Sequence, residues 1–496
     1  VAADEIVDIV IVGGGGSGLF AANEAAEMGD RVVVLEKNPR PGGMTVWSIG
    51  SFTSSNSPFQ LAKGIHDSPE EHFEDMALFH GKLLERDNPA LRRLYVDNAP
   101  ETLRKLIDMG IVFMGPMPEP PHRAPRMHNV LPNSRAYGRA LYRKARSVGV
   151  DVRLETRATK LIMQQNAVIG AEIEHKGTVS RIFSRKGVVL AGGDFSASTE
   201  LKAQFAGPVI ANVDALVTTS TGDAHRLGMQ AGGQMVNGDV LSGPQIRFIP
   251  PKRNLITMLP PLSMLGRIMK LALEKMPPAL VRPFIMMFLT TVLEPQKSMY
   301  RAGAILVNRN GDRFTDECEQ PQLAISSQPN KEAFIIIDGE LAQKFSAWPN
   351  FVSTAPGVAY AYIPDYKRNR KDVYREAGTI KELARKIGVP AEALQRAIGQ
   401  FNATRKNGGL TKPPFIALGP VRSWVLTEGG LRVSERLEVL DASGEAIPGL
   451  FAAGATGTGG IILEGHGHHL GWAFTSGMLA GRAASSNPAR ALTPNV

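Results

Sequence analysis

The 496-residue chain contains one cysteine, Cys318. That excludes a disulfide framework, an iron–sulfur cluster, a cysteine-rich zinc site and a CxxCH haem attachment within this chain. It fits a reducing, cytoplasmic compartment. Aromatic residues make up only 6%. The basic residues, which give a formal net charge of +9, are scattered rather than set in a stripe with interleaved aromatics, so nucleic acid is not an expected partner. An attraction to anionic surfaces or substrates is expected instead. Long hydrophobic runs are also missing. The most apolar region, 255–293, reads LITMLPPLSMLGRIMKLALEKMPPALVRPFIMMFLTTVL, and prolines at 260, 261, 277, 278 and 283 with Arg267, Lys270, Glu274, Lys275 and Arg282 interrupt every span-length stretch. Its LGRIMKLALEKM portion has the spacing of an amphipathic helix. Such a helix suits core packing, a greasy substrate entrance or a peripheral membrane contact. No basic segment followed by an apolar one opens the sequence, and VAADEIVDIVIVGGGG reads as a first strand.

Glycine is the opposite case, at 51 residues. EIVDIVIV (5–12) predicts a buried strand, Gly13-Gly14-Gly15-Gly16-Ser17-Gly18 a turn, LFAANEAAEMG a helix, and RVVVLEK a second strand ending at Glu36. This is the strand–GxGxxG–helix–strand–acid order of a dinucleotide-binding unit. Gly13 permits the tight turn, Gly15 lets the backbone approach a pyrophosphate, and Gly18 lets helix and strand pack closely. Gly16 and Ser17 open the helix, whose N–H groups face the phosphates. Glu36 would accept hydrogen bonds from a ribose diol. A second glycine-rich strand end, PGLFAAGATGTGG (448–460, including Gly454), favours FAD over a nicotinamide cofactor. So does PRPGGMTVWSIGSF (39–52), which follows Lys37 and carries Gly42, Gly43, Met44 and Thr45. No second complete GxGxxG unit is present. The helix pattern LGWAFTSGMLAGRAA, starting at Leu470, would aim its positive end at the flavin.

These stretches resemble the flavoprotein superfamily of fumarate reductases, succinate dehydrogenases and 3-ketosteroid dehydrogenases. The resemblance rests on VGGGGSGLFAA, EKNPRPGGMT, GVVLAGGDFSAS (187–198, with Gly193) and TGDAHRLGMQAGG (221–233, with Asp223). It continues in GAILVNRNGDRFTDE (303–317), KPPFIALGPV (412–421), TEGGLRV (427–433) and IPGLFAAGATGTGG (447–460). It implies an α/β fold with a Rossmann-like FAD-binding domain built from both chain ends, 1–240 and 415–496. An α+β capping domain, 241–414, would be inserted, with the active site over the flavin between the two. Some members tether FAD through a histidine after the GG-x-T segment. No histidine precedes His66 here, so non-covalent FAD is expected, with an external electron donor or acceptor.

The dicarboxylate branch of that superfamily places a histidine before its T-x-GG element, an arginine after its late HG, and an arginine acid past an apolar strand ending in Asp. The matching positions here are Val425 and Leu426, His469, and Ala342. A histidine does not replace a bidentate arginine grip. The ketosteroid branch ends in a glycine-rich loop and LGPAMTFG. GHGHHLGWAFTSG (465–477) keeps Leu470, Gly471, Ala473 and Thr475, and sets Gly467 where that branch uses a backbone N–H to hold a ketone oxygen. The branch's tyrosine falls at Leu463, which leaves Glu464, His466 and His468 as the polar candidates for its role, with His469 in the same histidine run. The expected chemistry is α,β-desaturation of a hydrophobic cyclic ketone, 3-ketosteroid-like or smaller, or the reverse enone reduction. An oxyanion hole makes the α-proton acidic, a base removes it, and the β-hydride passes to the flavin. Tyr300, Tyr360 and Tyr362 are candidates for proton transfer. The HGHH run could supply two metal ligands, but no HExxH, second histidine pair or cysteine pair accompanies it, so no metal is expected. A fumarate reductase-type reductase of an unsaturated carboxylate, and an electron carrier without its own substrate, are the rival readings.

Overall fold

The computed structural model describes residues 5–492 except 252–257, 356–358 and 406–408. The first strand, Glu5–Val12, is followed by helix Gly16–Glu27 and strand Val32–Leu35. Glu5–Val12 lies inside an eight-stranded sheet, between Thr178–Leu190 and Val32–Leu35. Asp151–Arg153 extends one edge, and Ala446–Ala452 with Glu438–Leu440 the other. The strands from Asp151–Arg153 across to Ala446–Ala452 pair in parallel. A parallel sheet is covered on both faces, which is why these strands read as unbroken apolar runs such as VVVL. The pairing of Ala446–Ala452 with Thr178–Leu190 shows that both chain ends build this unit.

The last helix, His468–Ser485, lies against Gly16–Glu27 with almost no spacing. A Cβ added at Gly477 would sit 2.4 Å from the Ser17 carbonyl oxygen, and one at Gly481 would sit 2.3 Å from that of Ala21. Two glycines four residues apart thus let two backbones touch. Neither helix is capped by its own N-cap side chain; Thr45 takes the Gly16 N–H, and other first-turn N–H groups of both helices stay open to a ligand.

A six-stranded sheet forms a second unit with its own apolar core. Its centre is the 13-residue strand Phe415–Thr427, which pairs with Asp214–Ala215, Leu241–Phe248, Ala333–Ile337 and Tyr374–Ala377. The sequence expectation assigned 415–427 to the FAD-binding domain. The strand instead belongs to the cap sheet, and its far end hands the chain back. There Thr427 accepts a hydrogen bond from the Phe195 N–H at 3.0 Å. The apolar stretch beyond the cap sheet forms two helices, Ser263–Lys275 and Pro278–Val292. Pro283 lies inside the second of these helices rather than ending it. Among the described residues, no helix is long and apolar enough to cross a membrane.

Candidate active site

The glycine turn is built as the motif requires. A Cβ at Gly18 would lie 1.9 Å from the Gly13 oxygen, and one at Gly13 would lie 2.3 Å from the Ala191 oxygen, so both positions demand glycine. A Cβ at Gly15 would meet nothing within 4 Å. That open face lies beside an uncapped helix start, the combination that takes a pyrophosphate. Gly42 donates to the Gly14 carbonyl, and Gly16 donates to Thr45 Oγ1, which brings the 42–45 segment, with Gly43 and Met44, against the turn. Glu36 is buried and accepts from the Gly14 N–H at 2.8 Å and from Asn38. Lys37 and Asp223 pair with one another at 3.1 Å. Gly193 is open on its Cβ side, and its carbonyl accepts from Thr456. Gly454 donates to Ser476 and packs over Ser17. Leu470 packs on the core beneath.

At the start of the last helix the sequence folds back sharply. Gly467 has φ +91, and the His466 carbonyl before it accepts from Thr53 Oγ1 at 2.6 Å. The three histidines then diverge. His466 donates its backbone N–H to the buried Glu119 and also bonds that carboxylate through its ring. His468 turns inward and is fully buried. Its Nδ1 bonds the Glu464 carbonyl, and its Nε2 faces His72. His469 faces outward with its side chain 44% exposed, and its Nε2 lies 2.7 and 2.9 Å from the two oxygens of Glu428. Glu428 directly follows the cap strand, so this ion pair joins the cap to the last helix.

The charges around His469 are acidic. Desolvation acts to lower its pKa, but Glu428, with Glu464 and Asp194 behind it, overrides that effect and holds the imidazolium above its ordinary value. Partial desolvation pushes the Glu464 carboxyl up, and Glu428 pushes it further. Burial also raises Asp194, against the Thr427 N–H that donates to its carboxylate. Such a surface repels a dianion.

With this geometry in view, comparison with known proteins is decisive for the family. The family model described as "FAD binding domain" matches residues 8–251 and 247–463. The chain belongs to this FAD-binding family. It is similar to an NADH:fumarate oxidoreductase of Klebsiella pneumoniae (strain 342), at 26% identity over 480 residues. That match takes in 93% of this chain but 45% of the relative. It is also similar to a 3-oxosteroid 1-dehydrogenase of Mycobacterium tuberculosis (strain ATCC 25618 / H37Rv), at 23% identity over 597 residues, covering 95% and 97% of the two chains. Among solved structures, the open conformation of a flavocytochrome c3 fumarate reductase superimposes with a TM-score of 0.72 at 22% identity, covering 98% of this chain and 79% of that one. The open glycine face and the two uncapped helix starts fit FAD.

Gly16 and Gly454 lie together against the last helix, at Phe474 and Ser476. The candidate proton-transfer tyrosines all belong to the second unit. Tyr300 is buried in the cap core, with its hydroxyl unpartnered. Tyr360 packs edge-on to Trp348 at 5.2 Å and tilts against Phe351 at 4.9 Å. Tyr362 opens helix Ile363–Asn369 and carries the Arg282 guanidinium 5.7 Å above its ring. Ala342, the place of the arginine acid, is buried behind Asp338, whose carboxylate is taken up by the N–H groups of Leu341, Thr411 and Lys412. Sequence reasoning missed Glu428 and Glu119. The TEGG string carried Glu428 at the variable position of the T-x-GG element. Nothing near Glu119 in sequence pointed to His466.

Proposed function

We propose that this chain is an FAD-dependent oxidoreductase that acts on the CH–CH bond beside the carbonyl of a neutral, hydrophobic cyclic ketone, 3-ketosteroid-like or smaller. The observation that carries this reading is the His469–Glu428 pair. It places a neutral, proton-donating dyad where a dicarboxylate reductase needs a cation, and it surrounds that place with carboxylates. FAD, held non-covalently, supplies a hydride acceptor or donor when bound. The Gly467 N–H and the His469 imidazolium hold the carbonyl oxygen and stabilise the enolate that forms when the α-proton leaves. Glu464 is exposed beside them without a side-chain partner among the described residues, and its raised pKa suits a base that takes that proton. An external carrier of electrons completes the cycle.

Helix Ser263–Lys275, which packs against strands Val112–Met117 and Met127–Leu131, supports a greasy substrate. Met264, Ile268 and Leu271 follow an i, i+4, i+7 stripe on Ser263–Lys275 and are 70%, 57% and 59% exposed. Arg267 and Lys275 stand exposed on the same helix. A stripe of this kind lies well in an anionic membrane interface, from which a lipophilic ketone can enter.

Anaerobic flavin spectroscopy tests the reading. Saturated cyclic ketones and 3-ketosteroids should bleach the oxidised flavin, and enones should reoxidise the reduced one. Reoxidation by fumarate-like diacids alone would overturn the proposal in favour of a carboxylate reductase. Silence toward every substrate would favour an electron carrier.

A further inference from the structure

Beneath the flavin-facing helix start lies a cluster that the proposed reaction does not use. We propose that His72, His122 and His468 bind one divalent transition-metal ion of the zinc type. The three come from separate segments: helix Pro69–Phe79, the loop 118–126 and the start of the last helix. One ring nitrogen of each lies within 4.8 Å of the other two. The three rings touch pairwise, with centroids 5.3 to 5.5 Å apart. His72 Nε2 and His468 Nε2 are 3.3 Å apart. That separation is about the edge of a tetrahedron whose zinc–nitrogen bonds are about 2.0–2.1 Å.

Hydrogen bonding leaves the cluster incomplete without an ion. His468 donates Nδ1–H to the Glu464 carbonyl, so its Nε2 lone pair faces inward. His122 Nε2 is buried and has no partner, and His72 Nε2 meets only the His468 nitrogen. An orphaned buried nitrogen is costly, and a metal removes that cost for a lone pair aimed at it.

The surroundings supply what an ion needs. The Asp75 carboxylate lies 3.9 Å from His122 Nδ1, as the acceptor that orients a ligating imidazole. Arg126 now contacts the same nitrogen at 2.9 Å, and its charge is matched by Asp67 and Asp75 at 2.6 and 2.5 Å. Metal uptake exchanges the Arg126–His122 contact for His122–Asp75. Glu119, with one buried oxygen unpartnered, adds negative charge near His468. The bound ion would pin the 464–468 loop to helix Pro69–Phe79. The site is independent of the substrate assigned above.

The test uses the full chain with FAD bound, stripped by a chelator and then titrated with cobalt(II) chloride. One equivalent of cobalt should give visible d–d bands to the red of the flavin, and one equivalent of zinc chloride should displace it. Zinc should also raise the melting temperature. His72→Gln and His122→Gln should keep their flavin and lose both effects. A wild type that takes up no stoichiometric cobalt or zinc overturns the proposal. So do folded, flavin-loaded variants that bind the metal as well as wild type. Should a variant fail to fold, the wild-type titration decides alone.

Discussion

Position 469 carries the functional argument at the residue scale. An imidazolium held by Glu428 donates a hydrogen bond, yet it offers a carboxylate no bidentate grip. His469→Ala should lower ketone turnover about 100-fold, the low end of the range for a positioned proton-transfer group, while the flavin content of the purified protein stays constant. Glu428→Gln should lower turnover in the same direction, because the imidazolium loses its partner. Steady-state kinetics on a bleaching ketone checks both, and unchanged rates in both variants would remove His469 from the mechanism.

At the scale of elements, the segment from 54 to 126 has most of the hidden structure. Arg126 is fully buried and tied to Asp67 and Asp75, which anchor the approach to helix Pro69–Phe79 and that helix itself. Arg126→Met would leave the buried Asp67 without its cation and Asp75 with Arg123 alone, and should cost about 3–5 kcal/mol in a urea titration of the flavin-loaded protein. The Gly43–Trp47 turn and strand Ser51–Thr53 run past the FAD turn without a histidine, and His66, the first in the chain, is exposed. Acid precipitation should therefore release all of the yellow colour into the supernatant. Colour retained in the pellet would mean a covalent bond from another residue.

At the scale of the whole molecule, burial makes the fold sensitive to acid. Desolvation holds His128 and His225 down at about 4. Unfolding returns them to an ordinary value of about 6.5. The unfolded chain therefore binds more protons between those values. Stability is full above pH 6.5 and falls as pH drops toward 4, by about 1.4 kcal/mol per pH unit for each histidine. Denaturant midpoints measured from pH 7.5 down to 4.5 should show this decline, and a flat profile would refute it. Helix Ser263–Lys275 gives a second whole-molecule prediction. The triple change Met264→Asp, Ile268→Asp and Leu271→Asp should abolish co-sedimentation with phosphatidylserine vesicles and leave turnover of a water-soluble ketone unchanged. Binding that survives the triple change would place the membrane contact elsewhere or remove it.

The sequence by itself determined the elements whose causes are local. The GGGGSG turn, the strands on either side of it and the acid at Glu36 follow from neighbouring residues, because a tight turn, a close helix–strand contact and an uncapped helix start are short-range demands. The identity of the FAD-binding unit was legible for that reason, as was the amphipathic helix at Ser263–Lys275. Tertiary structure decided the rest. The strand Phe415–Thr427 reads equally well for either domain, and only its four partners place it in the cap sheet. Three adjacent histidines look alike in sequence. A left-handed turn at Gly467 sends His466 toward Glu119, His468 into the interior and His469 out to Glu428. Partners 41, 347 and 396 residues away gave these histidines different surroundings. No local pattern records such pairings, because they are made when distant segments pack, and burial and charge are properties of that packing.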